Sequence, residues 1–170
     1  MRYSDNALVE ETRFGAYAVV LKSGNDLREV VRQVLNLNDG DIYLEVHVPD
    51  SVKGTPEAVL RSFREGAVKL ADFLIQKRLS PKCLIGVTHQ NVAGPARRFL
   101  NFLVVSGIPE EAVDQEKAER IDQGYSKTRR AAKGIPRGPL CFCYQSFEAF
   151  MDFTQRLRRK TKAAGSYSLP

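Results

Sequence analysis

A change of hydrophobic period, made twice between residues 42 and 87, most constrains the fold. From Ile42 to Val48 (IYLEVHV) the apolar residues Ile42, Leu44, Val46 and Val48 alternate with Tyr43, Glu45 and His47. That is the period of a strand, and Pro49 closes it. Thr55-Pro56-Glu57 then supplies a cap, a first-position proline and a first-turn acid. Leu60, Phe63, Ala67, Leu70, Ala71 and Leu74 follow at helical spacing, which predicts a helix running to about Arg78, before Ser80-Pro81. Cys83–Val87 (CLIGV) is apolar throughout, as in a parallel strand buried on both faces. Strand, helix and buried strand in succession point to an α/β layout.

The flanking segments extend the pattern. Phe14–Leu21 (FGAYAVVL) reads as a strand. Asp26, with Glu29 at capping-box spacing, starts a helix carrying Leu27, Val30, Val31, Val34 and Leu35 and ended by Asn38-Asp39-Gly40. Ala96, Phe99, Leu100 and Leu103 predict a further helix. Residues 110–132 are polar and helical in pattern, with Gly124 as a weak point. Residues 133–139 read as a loop, and Leu140–Tyr144 as a strand. Ser146 can cap a last helix with Phe147, Phe150, Met151 and Leu157 inward. The order β-α-β-α-β-α-α-β-α predicts a three-layer α/β sandwich with a mainly parallel or mixed sheet. The 170 residues, 43% of them hydrophobic, suit one core. A single domain over 1–159 and a mobile basic tail over 160–170 are expected.

Composition narrows the function classes. Three cysteines without pairing spacing make no disulfide framework, and no apolar run is long enough for a bilayer. No secretory signal is visible, so a soluble cytoplasmic protein with reduced thiols and no membrane partner is expected. The net charge of +6 is uneven: residues 121–170 carry ten Lys/Arg against three acids, or +7, leaving −1 for residues 1–120. A nucleic-acid or polyanion-binding module could use Lys127, Arg129, Arg130, Arg137, Arg156, Arg158 and Arg159. A solvated basic face would carry the same residues.

No dinucleotide, phosphate-loop, zincin or serine-hydrolase motif occurs, and no metal ligand set is expected. Glu45 and His47, at i and i+2, share a strand face; they could act as orienter and base, or form a polar sheet edge. His89, with Thr88, Gln90 and Asn91, is expected in a loop leaving the carboxyl end of a parallel strand, where open α/β sheets bind ligands. Lys53-Gly54-Thr55 before a helix could let backbone N–H groups approach a phosphate. Cys141-Phe142-Cys143 places two thiols on one face of a strand, as buried structural cysteines would lie.

Residues 42–100 resemble the central half of the GNAT (N-acetyltransferase) superfamily. In that family a strand enters a glycine-containing pyrophosphate loop and a helix, followed by a second strand and a second helix start. Here Ile42–Val48, Ser51–Pro56, residues 58–78, Cys83–Thr88 and Asn91…Ala96-Arg97-Arg98-Phe99-Leu100 occupy those places. The loop matches the family's Q/R-x-x-G-x-G/A only at Gly54, and Leu100 replaces a frequent tyrosine. The resemblance implies a divergent acyltransferase fold using acetyl-CoA or another acyl-CoA and an amine substrate. Lys53, Gly54 and Thr55 would hold the pyrophosphate. Glu45 or His47 would accept the amine proton, and His89 and Asn91 would line the splayed strand ends.

Overall fold

The computed structural model describes residues 8, 10–47 and 54–165. Six strands are present among them: β1 (Thr12–Phe14), β2 (Tyr17–Ser23), β3 (Ile42–His47), β4 (Cys83–His89), β5 (Leu103–Val105) and β6 (Leu140–Ser146). Six helices accompany them: α1 (Glu29–Leu35), α2 (Pro56–Gln76), α3 (Ala93–Leu100), α4 (Gln115–Ser126), α5 (Arg129–Ala132) and α6 (Phe147–Gly165). No helix among the described residues is long and apolar enough to cross a membrane.

The strands form one sheet in the order β1-β2-β3-β4-β6-β5. The sheet is mixed: β3 and β4 are parallel, and every other neighbouring pair is antiparallel. Of the two arrangements expected, mainly parallel or mixed, the mixed one is present. The reason lies partly in α1, whose seven residues span about 10 Å. β2 also has seven residues, and at strand rise they span about 23 Å. So short a helix cannot carry the chain back along β2, and β3 returns antiparallel. α2, with 21 residues, is long enough for the parallel crossover from β3 to β4.

Alternation along the central strands divides the core. Leu44, Val46, Leu84 and Cys143 pack with Ala67, Leu70 and Leu74 of α2, Leu100 of α3, and Phe150 and Phe153 of α6. Tyr43, Cys83, Ile85 and Phe142 pack with Val31 and Leu35 of α1 and with Ala112 and Val113. β4 supplies both clusters, which is why Cys83–Val87 shows no polar alternation.

Several boundaries move from those the sequence pattern suggests. FGAYAVVL is not one strand but a hairpin, turning at Gly15-Ala16 with Gly15 at φ 59°. Gly15 meets Gly66 of α2 there, and the absence of side chains lets the two backbones touch: a Cβ on Gly66 would stand 1.9 Å from the Phe14 carbonyl oxygen. α1 ends at Leu35, with Asn36 left-handed at φ 53°, short of the Asn38-Asp39-Gly40 turn. α2 ends at Gln76, and Arg78 takes a left-handed φ of 53°. Leu103 belongs to edge strand β5, not to a helix. The polar stretch starts as a 3-10 turn over Glu110–Ala112, then forms α4, capped by Asp114, and α5; Gly124 lies inside α4. Ser146 caps α6 by accepting the Ala149 N–H at 3.1 Å. α6 reaches Gly165.

Candidate functional site

Among the described residues, the ladder of the parallel pair β3–β4 runs toward its carboxyl end from Tyr43–Cys83 to Val46–Gly86. β3 continues on its outer side, with His47 opposite Ala18 of β2. β4 continues on the other side for three residues, with Val87, Thr88 and His89 opposite Phe142, Cys141 and Leu140 of β6. Among the described residues, past Val46 and Gly86 each strand is held by its outer neighbour, and His47 and Val87 are not paired with each other.

Two helices begin at this end. α2 follows β3: Gly54 sits at φ 138°, and the Thr55 hydroxyl accepts the Ala58 N–H at 3.2 Å. Pro56 has no N–H, so the donors of this first turn are few. Lys53 lies outside the described residues. α3 follows β4 after a 3-10 turn over Gln90–Val92.

His47 and Glu45 share a face but have different partners. His47 Nε2 lies 2.6 Å from Glu11 Oε2, and both side chains are partly exposed. Glu45 is nearly buried, with Oε2 2.7 Å from Lys117 Nζ and 3.3 Å from Lys22 Nζ. Burial pushes its carboxyl up, but the two ammonium groups outweigh that and hold it below the usual carboxylate range. Burial pushes the Lys117 ammonium down, against the pull of Glu45. Glu11, not Glu45, is therefore placed to orient the His47 imidazole. The sequence offers no local signal for either partner, because Glu11 arrives just before β1 and Lys117 on α4.

His89 and Asn91 form a second constellation. His89 lies inside β4, not in the expected loop, and is 1% exposed. Its Nε2 is 3.1 Å from Asp122 Oδ1, its ring meets Tyr125 edge-on at 5.2 Å, and Arg137 pairs with the same aspartate. Burial lowers the affinity of the imidazole for a proton, while Asp122 opposes that effect. Asn91 Nδ2 donates to the Pro136 carbonyl at 2.6 Å, and its own carbonyl accepts from Arg130 at 2.8 Å. Tyr125 OH donates to the Ile135 carbonyl at 2.6 Å. These bonds fasten α4 and loop 133–139 to the end of β4.

The basic residues of the last third have different surroundings. Arg130 and Arg137 belong to the clamp just described, and Arg158 pairs with Asp72 of α2 at 2.5 Å. Arg129 opens α5 and Lys127 follows α4. Arg159 is exposed on α6, and Arg156 lines a cavity described below. Cys141 and Cys143 are free thiols two residues apart on β6, and each affects the other's titration, lowering the pKa of the first and raising that of the second.

Compared with protein-family models, curated proteins and solved structures, the chain has no match.

Proposed function

We propose that this chain is a divergent acyltransferase of GNAT-like, three-layer fold that moves an acyl group from acetyl-CoA or another acyl-CoA to an amine. The observation that carries this reading is the parallel pair β3–β4, the one parallel pair among the described residues, whose described pairing ends at Val46–Gly86 and which is flanked by antiparallel strands. A gap between the two strands there would expose strand backbone donors, and an N–H there could polarise a thioester carbonyl. Lys53, Gly54 and Thr55 would hold the pyrophosphate at the start of α2.

In the reaction, the amine nitrogen attacks the thioester carbonyl, a C–N bond forms and the C–S bond breaks. CoA leaves as thiolate, and the nitrogen loses a proton. His47 is the better acceptor for that proton, because Glu11 orients it at the gap. Glu45 carries two ammonium partners that make it a poor base. His89 and Asn91 serve by fixing the wall beside β4.

Calorimetric titration with acetyl-CoA tests the reading. One site is expected for the unmodified protein. Ala58→Glu should abolish it, because a carboxylate in the first turn of α2 repels phosphate. The same change completes a Thr-x-x-Glu capping box, so the helix should not weaken. No heat with millimolar acetyl-CoA would sink the proposal.

A further inference from the structure

A second concave site lies among α2, α3 and α6. Arg64, Arg98, Arg156 and Lys160 line a cavity of about 200 Å³ together with Asn101. Arg64 stands eight residues into α2 beyond Pro56, about 12 Å along the helix from its start. The site is thus separate from the Gly54-Thr55 turn.

Three features distinguish it from an ordinary basic surface. Among the described residues, no carboxylate lines it. Among the described residues, none of the four cations makes an ion pair; Arg98 instead lies over the Phe99 ring, 5.6 Å from its centroid. Four like charges around one hollow repel each other, and an anion would relieve that repulsion. The hollow is also anchored to the core. Phe153 and Leu157 of α6 form its apolar wall and pack into the core beside α2. Arg158, between the lining residues Arg156 and Lys160, is tied to Asp72 of α2.

Ligand chemistry follows from the donors and the volume. Guanidinium forks match phosphate oxygens in pairs, and three are present here. A volume of about 200 Å³ is below the ~300–1,000 Å³ of sites that enclose a whole ligand. It suits phosphate groups, with the organic part resting on Phe99, which is 38% exposed at the rim. We infer that this cavity binds the phosphate groups of a small diphosphate-bearing molecule, independently of the β3–β4 gap.

Titration with inorganic pyrophosphate at low salt tests the inference. One site is expected. Arg64→Ala and Arg156→Ala should each weaken it at least tenfold with unchanged melting temperature, since both side chains are exposed. Arg159→Ala, on the same helix but outside the lining, and Ala58→Glu should leave the affinity within twofold. Two results would overturn the inference: no binding at millimolar pyrophosphate, or equal losses in Arg156→Ala and Arg159→Ala. Tight binding of a single-stranded oligonucleotide that pyrophosphate cannot displace would also overturn it, assigning the cations to nucleic acid. Because pyrophosphate is the probe, failure of acetyl-CoA to bind leaves this result readable.

Discussion

Replacing Gly66 by alanine inverts the usual rule for helices. In a solvent-facing helix the change would stabilise by about 1 kcal/mol, because glycine is a poor helix former. Here the added Cβ would stand 1.9 Å from the Phe14 carbonyl oxygen and 2.8 Å from its carbon, both backbone atoms. Ordinary contact begins near 3.4 Å, so the β1–β2 hairpin must retreat by about 1.5 Å. The hairpin is held by the Phe14–Phe73 ring pair at 5.3 Å and the edge-on Tyr17–Phe63 pair at 5.2 Å. Each such pair is worth about 0.5–1.5 kcal/mol beyond its area, and overpacking costs about 1–3 kcal/mol. Set against the helix gain, a net loss of about 3 kcal/mol is expected. That corresponds to a melting temperature lower by about 6–12 °C for a chain of this length. Urea unfolding followed by circular dichroism measures it. A Gly66→Ala protein as stable as the unmodified one, or more stable, would show that the hairpin does not rest on α2.

Glu45→Gln leaves two ammonium groups facing a neutral amide and should cost about 2 kcal/mol, less than for a fully buried pair because Lys22 can turn to water; unchanged urea unfolding would refute the ion triad. The His89 pKa is lowered by burial, so its contribution to stability is complete above the unfolded value near 6.5 and is lost as pH falls through the folded value. His89→Asn should therefore flatten the decline in stability below about pH 6.5, and an identical decline in both proteins would contradict the buried neutral imidazole. Once an amine substrate is in hand, His47→Ala should lower turnover about 10²–10⁴-fold. Glu11→Gln should lower it less, through kcat at unchanged KM; turnover identical to that of the unmodified protein would remove the orienting role.

The central β-α-β unit was legible because its signals are local. Alternation in Ile42–His47, the Thr55-Pro56 start and the apolar run from Cys83 each report on a few neighbouring residues. Strand direction was not legible, since it depends on whether a connecting helix is long enough to span a strand, and α1 is not. The hairpin at Gly15 was hidden because Gly-Ala between apolar residues also reads as continuous strand. Of the proposed site, spacing and position single out Gly54, Thr55 and His47. Glu11, Lys117 and Asp122, which decide what Glu45, His47 and His89 can do, come from distant segments through the tertiary fold. The cationic cavity was invisible for the same reason: its four cations come from three helices, and only Arg156 and Lys160 lie in the basic C-terminal third.

Hydrogen exchange with and without acetyl-CoA tests the central proposal most directly, because it reports where the ligand sits as well as whether it binds. The expected result is slowed exchange at the unpaired edges of β3 and β4 around His47 and Val87, and in the first turn of α2 from Thr55 to Val59. Saturating acetyl-CoA with no protection at the gap, or protection confined to the α2–α3–α6 cavity, would contradict the assignment of the gap as the acyl-CoA site.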